Sequence, residues 1–404
     1  MKTIQKLKQT EIGEIPEDWE VNKLMDFIEI NKGQQLNRAE LTPTGEYPDW
    51  NGGVQQSGYT PLWNTLENTI TISEGGNSCG FVNYCKTKFW LGGHCYSLKI
   101  IDKTNKKFLF QLLKFKERFI MSLRIGSGLP NIQKNELNKF LLLRPKDIKE
   151  QDAIAQVLSD TDTLIESLNK LIEKKKNIKQ GAMQQLLTGK KRLKRLTGKW
   201  EEETIESLCI SFTKQTGFDY SAYIKPKLVS KFKKGTIPFI QNKDFKAKKI
   251  NFNTDYYIPE DVAISFPRIL LDERCLLISI SGCIGNVGIF CNSQKAFIGG
   301  AVAVAKFRDK KQLDWIMYYL LSDEGQIKLL NQVKAGSHQN LILEDIRKIT
   351  IPIPSEIEQK NITNFLSDMD VEIEDLERKR DKYLFIKKGM MQELLTGRIR
   401  LKYG

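Results

Sequence analysis

The chain has 404 residues, 40% of them hydrophobic, and its 63 Lys and Arg against 49 Asp and Glu give a net charge of +14. This composition excludes a disordered or collagen-like chain, and no uncharged apolar run reaches the roughly 18 residues that a membrane helix needs. The basic excess favours a polyanionic partner, most often nucleic acid, and the lack of an apolar signal segment predicts a cytoplasmic protein without a membrane partner.

Residues 1–148 are predicted to form a β-rich domain that includes the N-terminal segment. Short β-branched or aromatic runs are broken by Gly, Pro, Asn and Asp, a pattern typical of short strands joined by tight turns. Late in this domain an amphipathic pattern predicts a helix near Phe108–Leu123.

Residues 149–190 are predicted to form one long helix. Apolar residues recur at alternating steps of four and three, which indicates a coiled-coil seam, and the span contains no proline. A helix of about 36 residues would be roughly 54 Å long. Gly189 directly follows Leu-Leu-Thr, where a helix is expected to end. The predicted seam positions are Ile154, Leu158, Ile165, Leu168, Ile172 and Leu186.

The same order of elements follows a second time. Residues 191–356 are predicted to form a second β-rich domain with a helix near Asp314–Val333, and residues 357–404 a second long helix with a C-terminal tail. Two such helices in one chain most simply pair with each other, although a helical core or linker with no task beyond packing is the alternative. The second set of seam positions is Ile362, Leu366, Met369, Ile373, Leu376 and Leu394.

The repetition extends to the letters of the sequence. Ten of fifteen positions are identical between KQGAMQQLLTGKKRL (residues 179–193) and KKGMMQELLTGRIRL (residues 387–401), at an offset of 208. The offset is the same between EQDAIAQVLSDTD (residues 150–162) and EQKNITNFLSDMD (residues 358–370). Upstream the likeness fades, but the order of features holds, and Trp19-Glu20 and Trp200-Glu201 open the two copies. The chain is therefore a tandem duplication.

Motifs that carry catalysis are missing from the sequence. It has no GxxxxGK[ST] phosphate loop, no GxGxxG and no [ND]PP[YF] tetrapeptide. Its two histidines, His94 and His338, do not occupy matching positions of the repeat. A cluster of Cys79, Cys85, His94 and Cys95 lacks the C-x2-4-C spacing of zinc sites and is better interpreted as buried thiols. We therefore predict no catalytic residue and no metal in this chain.

Basic residues concentrate at residues 174–199 and 378–402, around the ends of the two long helices. They are typical either of contact with DNA phosphates or of a solubilising surface near a helix C-terminus. Sequence readout would have to come from the β-rich domains, whose loops carry side chains able to reach base edges and phosphates. The candidate DNA-binding residues are Lys32, Gln34, Arg124, Ser127, Asn131, Lys134, Lys214, Gln215, Lys334, Ser337, Gln339 and Asn340.

This pattern resembles the specificity subunit of type I restriction–modification enzymes. The resemblance is carried by TEIGEIPEDWEVNKL near the start, the P…EQ..I...LSD.D helix openings and the two QxLLTG helix ends, and it covers essentially the whole chain. It implies an α+β fold in which two β-rich target-recognition domains are separated by two long antiparallel coiled-coil helices, as a pseudo-twofold tandem repeat. Each domain would read one half of a bipartite asymmetric DNA site, and the helix pair would set the spacer between the halves.

The resemblance also implies the partners. Two methyltransferase subunits would dock on the helical regions and methylate adenine with S-adenosylmethionine, and two restriction subunits using ATP and Mg would join for cleavage. This chain would itself hold no cofactor and carry out no catalysis. The alternatives are a coiled-coil scaffold that never reads DNA, which leaves the net charge unexplained, and a stand-alone DNA methyltransferase or nuclease, which the missing motifs disfavour.

Overall fold

The computed structural model describes residues 6–126, 128, 130–193, 196, 198–246, 248–291, 294–331 and 340–401. It divides the chain into two compact units. The first unit comprises the residues up to 170 and those from 377 onward, and the second unit comprises residues 171–376. Each unit therefore contains one β-rich segment and one part of each long helix.

The first unit is built on a four-stranded antiparallel sheet in the order Ile28–Lys32, Cys95–Ile100, Thr69–Ser73, Val82–Cys85. Its other strands are Leu7–Thr10, Gly13–Pro16, Trp19–Lys23, Tyr47–Trp50, Gly58–Thr60, Trp90–Leu91 and Leu141–Pro145. Its shorter helices are Lys106–Phe115, Glu117–Ser122 and Lys134–Asn138, with 3-10 turns at Leu24–Asp26 and Arg38–Glu40. Phe108, Leu109 and Leu112 of the first of these helices are buried in the same core as the sheet residues Ile30, Ile72 and Leu98.

The second unit repeats this sheet in the order Cys209–Lys214, Val302–Phe307, Cys275–Ser279, Val287–Phe290. Its other strands are Glu201–Thr204, Thr236–Ile240, Phe245–Lys246, Lys249–Ile250, Tyr257–Pro259, Leu270–Leu271, Ala296–Ile298 and Thr350–Ile353. Its shorter helices are Ile205–Leu208, Gly217–Asp219, Glu260–Ile264, Leu313–Leu321, Asp323–Leu330 and Leu343–Arg347, with a π-helical turn Tyr220–Ile224 and 3-10 turns Lys225–Lys227, Asn242–Asp244 and Lys310–Gln312. The duplication inferred from the sequence is thus present in the topology.

The two predicted long helices are confirmed as Ile148–Leu186 and Glu356–Leu394, each of 39 residues. They run antiparallel within each unit. In the first unit Asp162 meets Lys387 and Glu150 meets Arg400, so that rising numbers on one helix meet falling numbers on the other. In the second unit Lys175 meets Glu372 and Lys179 meets Asp370, again with rising numbers on one helix against falling numbers on the other.

The predicted amphipathic helices are each divided in two. The predicted helix Asp314–Val333 breaks at Ser322, which has extended backbone angles and whose hydroxyl accepts a hydrogen bond from the Gly325 amide. Ser322 therefore caps a second helix, an arrangement that serine favours more than a helix interior. The predicted helix Phe108–Leu123 divides at Lys116.

Candidate nucleic-acid interface

One end of the four-stranded sheet in the first unit gathers several of the predicted DNA-binding residues. Lys32 pairs in register with Tyr96, and the neighbouring Cys95 pairs with Ser73, the last residue of its strand. The loop that follows Ser73 forms a β-bridge from Gly75 to Asn131. Lys32 and Asn131 therefore lie at the same end of the sheet, which we call the loop end.

A partly buried acid, Glu74, sets the charge at this loop end. Lys32 donates to Glu74 over 2.8 Å, and the hydroxyl of Tyr96 donates to the same Glu74 oxygen over 2.8 Å. Burial raises the pKa of Tyr96, and its hydrogen bond to Glu74 raises the pKa further, so the phenol stays protonated and remains a donor. Lys32 is therefore held in place by an ion pair while half of its side chain stays exposed.

The other candidates of the first unit are on the surface. Gln34, Arg124, Asn131 and Lys134 are all exposed. An exposed lysine or arginine suits phosphate contact, and an exposed asparagine amide suits a base edge. Ser127 lies outside the described residues.

The second unit repeats the loop end on an equivalent backbone. Lys214 pairs with Ala303, the adjacent Val302 pairs with Ser279, and Ser281 forms a β-bridge to Asn340. Lys214 and Asn340 thus occupy the positions that Lys32 and Asn131 occupy in the first unit. The side chains around them differ, because Ile280 and Ala303 stand where the first unit has Glu74 and Tyr96.

One candidate of the second unit does not reach the surface. Gln215 is buried, with 4% exposure, and its side-chain nitrogen lies 3.4 Å from the carbonyl oxygen of Ile298. Gln215 directly follows the last residue of strand Cys209–Lys214 and is packed in the interior, so in this conformation it presents almost no surface to DNA. The predicted residues Lys334, Ser337 and Gln339, together with His338, lie outside the described residues.

Sequence reasoning missed residues that the fold brings to the loop ends. Asn51 accepts from the His94 amide over 2.9 Å, and the carbonyl oxygen of His94 accepts from the Glu74 amide, so these residues meet beside Gly75. In the second unit the side chain of Asn242 donates to the Ser281 carbonyl oxygen over 2.6 Å. The available sequence signal is the glycine pair Gly92-Gly93: a Cβ on Gly92 would lie 2.5 Å from the Asn51 side chain, so this backbone approach requires glycine.

The predicted helix seam comprises twelve positions on the two long helices. Ten of its positions are buried, and the remaining two, Met369 and Leu376, are partly buried. These two flank a stretch where charged pairs replace apolar contacts, since Lys175 pairs with Glu372 and Lys179 with Asp370. The buried positions are Ile154, Leu158, Ile165, Leu168, Ile172, Leu186, Ile362, Leu366, Ile373 and Leu394.

An aspartate in each long helix ties the helix pair to the β-rich segment. In the second unit Asp370 accepts from Lys179 of the first long helix over 2.5 Å and from Tyr318 of helix Leu313–Leu321 over 2.7 Å. In the first unit Asp162 accepts from Lys387 over 2.6 Å and from Gln111 over 2.7 Å. The last residue of each LSD.D motif therefore forms a three-element joint.

A second joint lies near the start of each long helix. The buried Glu358 binds Arg192 through two hydrogen bonds of 2.5 and 2.6 Å and accepts from the Trp200 indole over 3.1 Å. In the first unit the buried Glu150 binds Arg400 in the same way.

The indole that completes the first-unit joint belongs to Trp19, which donates to Glu150 over 3.2 Å. Each indole also lies beside the guanidinium of its joint, at 5.1 Å in the second unit and 5.8 Å in the first. The same acid, arginine and tryptophan thus close both joints.

The described residues contain no group of three or more His, Cys, Asp or Glu side chains arranged to hold a metal. Cys79, Cys85 and Cys95 are buried free thiols, and burial raises the pKa of Cys79 to about 11 and those of Cys85 and Cys95 to about 12. Such thiols are protonated near neutral pH, and a protonated thiol is a poor nucleophile. No helix among the described ranges has the length and apolar character to cross a membrane.

The repeated sheet defines the chain as a tandem repeat of two α+β units. A family model described as the type I restriction modification DNA specificity domain matches the chain twice, at residues 16–180 and 198–384. These matches span most of the chain, one over each repeat. The chain belongs to this family, as the motifs of its sequence predict.

Similar proteins extend over the full length. The chain is 27% identical to the type I restriction enzyme MjaVIII specificity subunit of Methanocaldococcus jannaschii, over 96% of this chain and 94% of that protein. The crystal structure of a type I restriction–modification system S subunit from M. genitalium matches with a TM-score of 0.64 and 21% identity over all of both chains. A chain from a study of complex assembly and conformational transition of the type I R-M system matches with a TM-score of 0.52 and 13% identity, over 95% of this chain and 99% of that one. The α+β fold with long helices is therefore shared.

Proposed function

We propose that this chain is the non-catalytic subunit that gives a type I restriction–modification enzyme its DNA sequence specificity. Each loop end reads one half of a bipartite asymmetric site, and the paired long helices set the spacer. The observation that carries the proposal is that the two loop ends have equivalent backbone arrangements but different side chains. The lysine and asparagine recur at equivalent positions, while Glu74 and Tyr96 are replaced by Ile280 and Ala303.

Partner subunits supply the chemistry in this proposal. Two methyltransferase subunits bind the helical regions and transfer a methyl group from S-adenosylmethionine to adenine, and two restriction subunits use ATP and Mg. An adenine inside a duplex is out of reach of a methyltransferase and has to be flipped out, so the DNA held by this chain must tolerate that distortion. The missing catalytic motifs of the sequence favour a subunit that positions DNA for others.

The first test is adenine-methylation sequencing of host DNA with the gene present and deleted. We expect deletion to remove methylation from one asymmetric two-part motif, which also supplies the two half-sites and the spacer. If methylation is unchanged, the gene is re-expressed with its methyltransferase in a host that lacks both. Failure to restore any motif there would refute the proposal.

Matched variants then assign the domains to the half-sites. In the wild-type protein, scrambling either half-site should lower the affinity for the duplex. The triple variant Arg124→Ala, Asn131→Ala and Lys134→Ala should no longer lose affinity when the half-site read by the first unit is scrambled. It should still lose affinity when the other half-site is scrambled. Lys214→Ala with Asn340→Ala should give the opposite result. Binding of duplexes by the full chain measures both, and equal loss of discrimination at both halves by either set would contradict one domain reading one half.

Two assays separate the alternatives. In the first assay the exposed lysines of residues 174–199 are neutralised. A scaffold without DNA readout would keep its partners and would have no salt-dependent DNA affinity to lose, whereas a DNA reader would lose affinity. A stand-alone methyltransferase would bind labelled S-adenosylmethionine without a partner, which we do not expect of the isolated chain.

A further inference from the structure

The two repeats differ in charge and in aromatic content in the segment that leaves the loop end of the sheet. From Lys32 to residue 46, just before the next strand, the first repeat has two basic and two acidic residues and no aromatic residue. The equivalent part of the second repeat, residues 214–235, has six lysines and one aspartate, with four aromatic residues among them. Its backbone is also distinctive, because Tyr220–Ile224 is a π-helical turn, a rare element that is frequent at functional sites.

We propose that residues 217–234, the basic–aromatic segment, form a second DNA-contact surface of the second unit that grips the phosphates flanking its half-site. The inference rests on the proposed function that this unit binds DNA, and it adds a contact surface that the first unit lacks. It commits to duplex DNA as the occupant because the surface is cationic and polyanions are its electrostatic complement.

The lysines of the segment are available for such a contact. Those at positions 225, 227, 231, 233 and 234 are all exposed. Within the part of the chain that the structure describes, none of them makes an ion pair, whereas Lys32 at the loop end of the first unit is paired with Glu74. Five unpaired ammonium groups on one short segment repel each other, and phosphates would relieve that repulsion.

The segment is braced rather than loose. Ile224 is fully buried in the core beneath it, and Val229 exchanges two backbone hydrogen bonds with Tyr257, of 2.9 and 2.8 Å. Because these anchors hold the backbone, the lysine side chains are presented without the cost of ordering a free loop.

Exposed rings accompany the lysines. Phe218 is 72% exposed and forms the outer end of a series of ring contacts, first with Tyr223 at 6.0 Å and then from Tyr223 to Phe266 at 6.5 Å. Phe266 in turn contacts the fully buried Phe297 at 6.2 Å. Phe218 is therefore exposed to solvent while a series of ring contacts connects it to the core. Such a ring is suited to apolar contact with sugars or with an opened base step in the minor groove.

The test compares full-length variants in their binding to duplex DNA across a salt series. Lys225→Gln, Lys227→Gln and Lys231→Gln together should make the dependence of log affinity on log salt less steep by about 2 to 3, since each lost phosphate contact changes the slope by about 0.9. The control set Lys103→Gln, Lys146→Gln and Lys149→Gln removes the same charge from exposed lysines elsewhere. It should leave the slope unchanged.

The duplexes distinguish this inference from the proposed function. Phosphate contacts carry no sequence information, so the first set should weaken binding equally on a specific and on a random duplex. Phe218→Ala should lower affinity without changing the slope. A wild-type slope for the first set, or an equal change in the control set, overturns the inference, while wild-type protein without preference for its methylation motif refutes the proposed function alone.

Discussion

Replacing Asp370 by Asn tests whether the three-element joint holds the second unit together. Burial raises the pKa of Asp370, but hydrogen bonds from Lys179, Lys248 and Tyr318 outweigh it, so the pKa lies below the ordinary value of 3.8. The carboxylate is therefore ionised near neutral pH. Because the folded-state pKa is depressed, the stabilisation is present above pH 3.8 and is lost as the pH falls through the folded-state value.

The structure gives the magnitude of this effect. Asp370 accepts from Lys179 over 2.5 Å, from Lys248 over 2.6 Å and from Tyr318 over 2.7 Å, and the side chains of both lysines are about one-fifth exposed. A hydrogen bond to a charged group contributes about 1.5–3 kcal/mol and a neutral one about 0.5–1.5 kcal/mol. An asparagine amide keeps the shape but turns charge-assisted bonds into weaker ones, so Asp370→Asn should cost about 2–4 kcal/mol in local stability.

Amide hydrogen exchange on the full-length chain measures that cost locally. Helix Leu313–Leu321 carries Tyr318, and its exchange in Asp370→Asn should accelerate roughly 30- to 700-fold. Asp162→Asn is the matched control, because Asp162 has only Lys387 and Gln111 as side-chain donors among the described residues. Its effect should be smaller and confined to helix Lys106–Phe115. Unchanged exchange in Leu313–Leu321, or equal acceleration in both units, would refute the reasoning.

Three further outcomes are expected. Iodoacetamide at pH 8 should label the exposed Cys283 and Cys291 and spare the five buried thiols, and bound DNA should protect Cys283, at the loop end, while Cys291, at the opposite end of the strand pair, stays reactive. Mass spectrometry of the labelled peptides measures the protection of each cysteine, and protection of both or of neither would argue against the loop end as the DNA-contact surface. Gly397 has φ +72° and a Cβ there would lie 2.5 Å from Pro16, so Gly397→Ala should lower the melting temperature. Gly389→Ala, in open space within a helix, should stabilise by about 1 kcal/mol; the reverse order would contradict the packing. Seven residues inserted in both long helices keep the heptad phase and add about 10 Å, so methylation sequencing should show a spacer longer by about 3 base pairs; an unchanged spacer would end the ruler hypothesis.

The long helices could be predicted from the sequence because the apolar pattern that indicates them is local and occurs in both copies of the repeat. A coiled-coil seam places an apolar residue every three or four positions, and Ile154 and Ile362 begin the same frame 208 residues apart. Basic residues within the seam also recur at equivalent positions of the two copies. Lys179 and Lys387, which interrupt the apolar pattern, are neutralised by Asp370 and Asp162, the equivalent acids of the opposite copies.

The loop ends could be predicted only in part, because they are assembled from segments far apart in the chain. Asn131 was a candidate for its residue type, but its neighbours Asn51 and His94 come from two other loops and carry no local signal of that meeting. Gln215 follows Lys214 directly, yet alternation along an extended chain places one side chain outside and the next inside. Residue type alone could not distinguish them.

The joints at Glu150 and Glu358 are a part of the repeat that is the same in both units. In the second unit the residues from Arg192 to Trp200 lie a few positions apart on one stretch of chain, whereas in the first unit Arg400 and Trp19 come from the two ends of the sequence. The same acid, arginine and tryptophan nevertheless assemble, so the contacts specify this joint without help from a covalent link between its parts. The loop-end residues that we propose to read DNA take no part in these contacts, so they can diverge between the repeats without altering the joint.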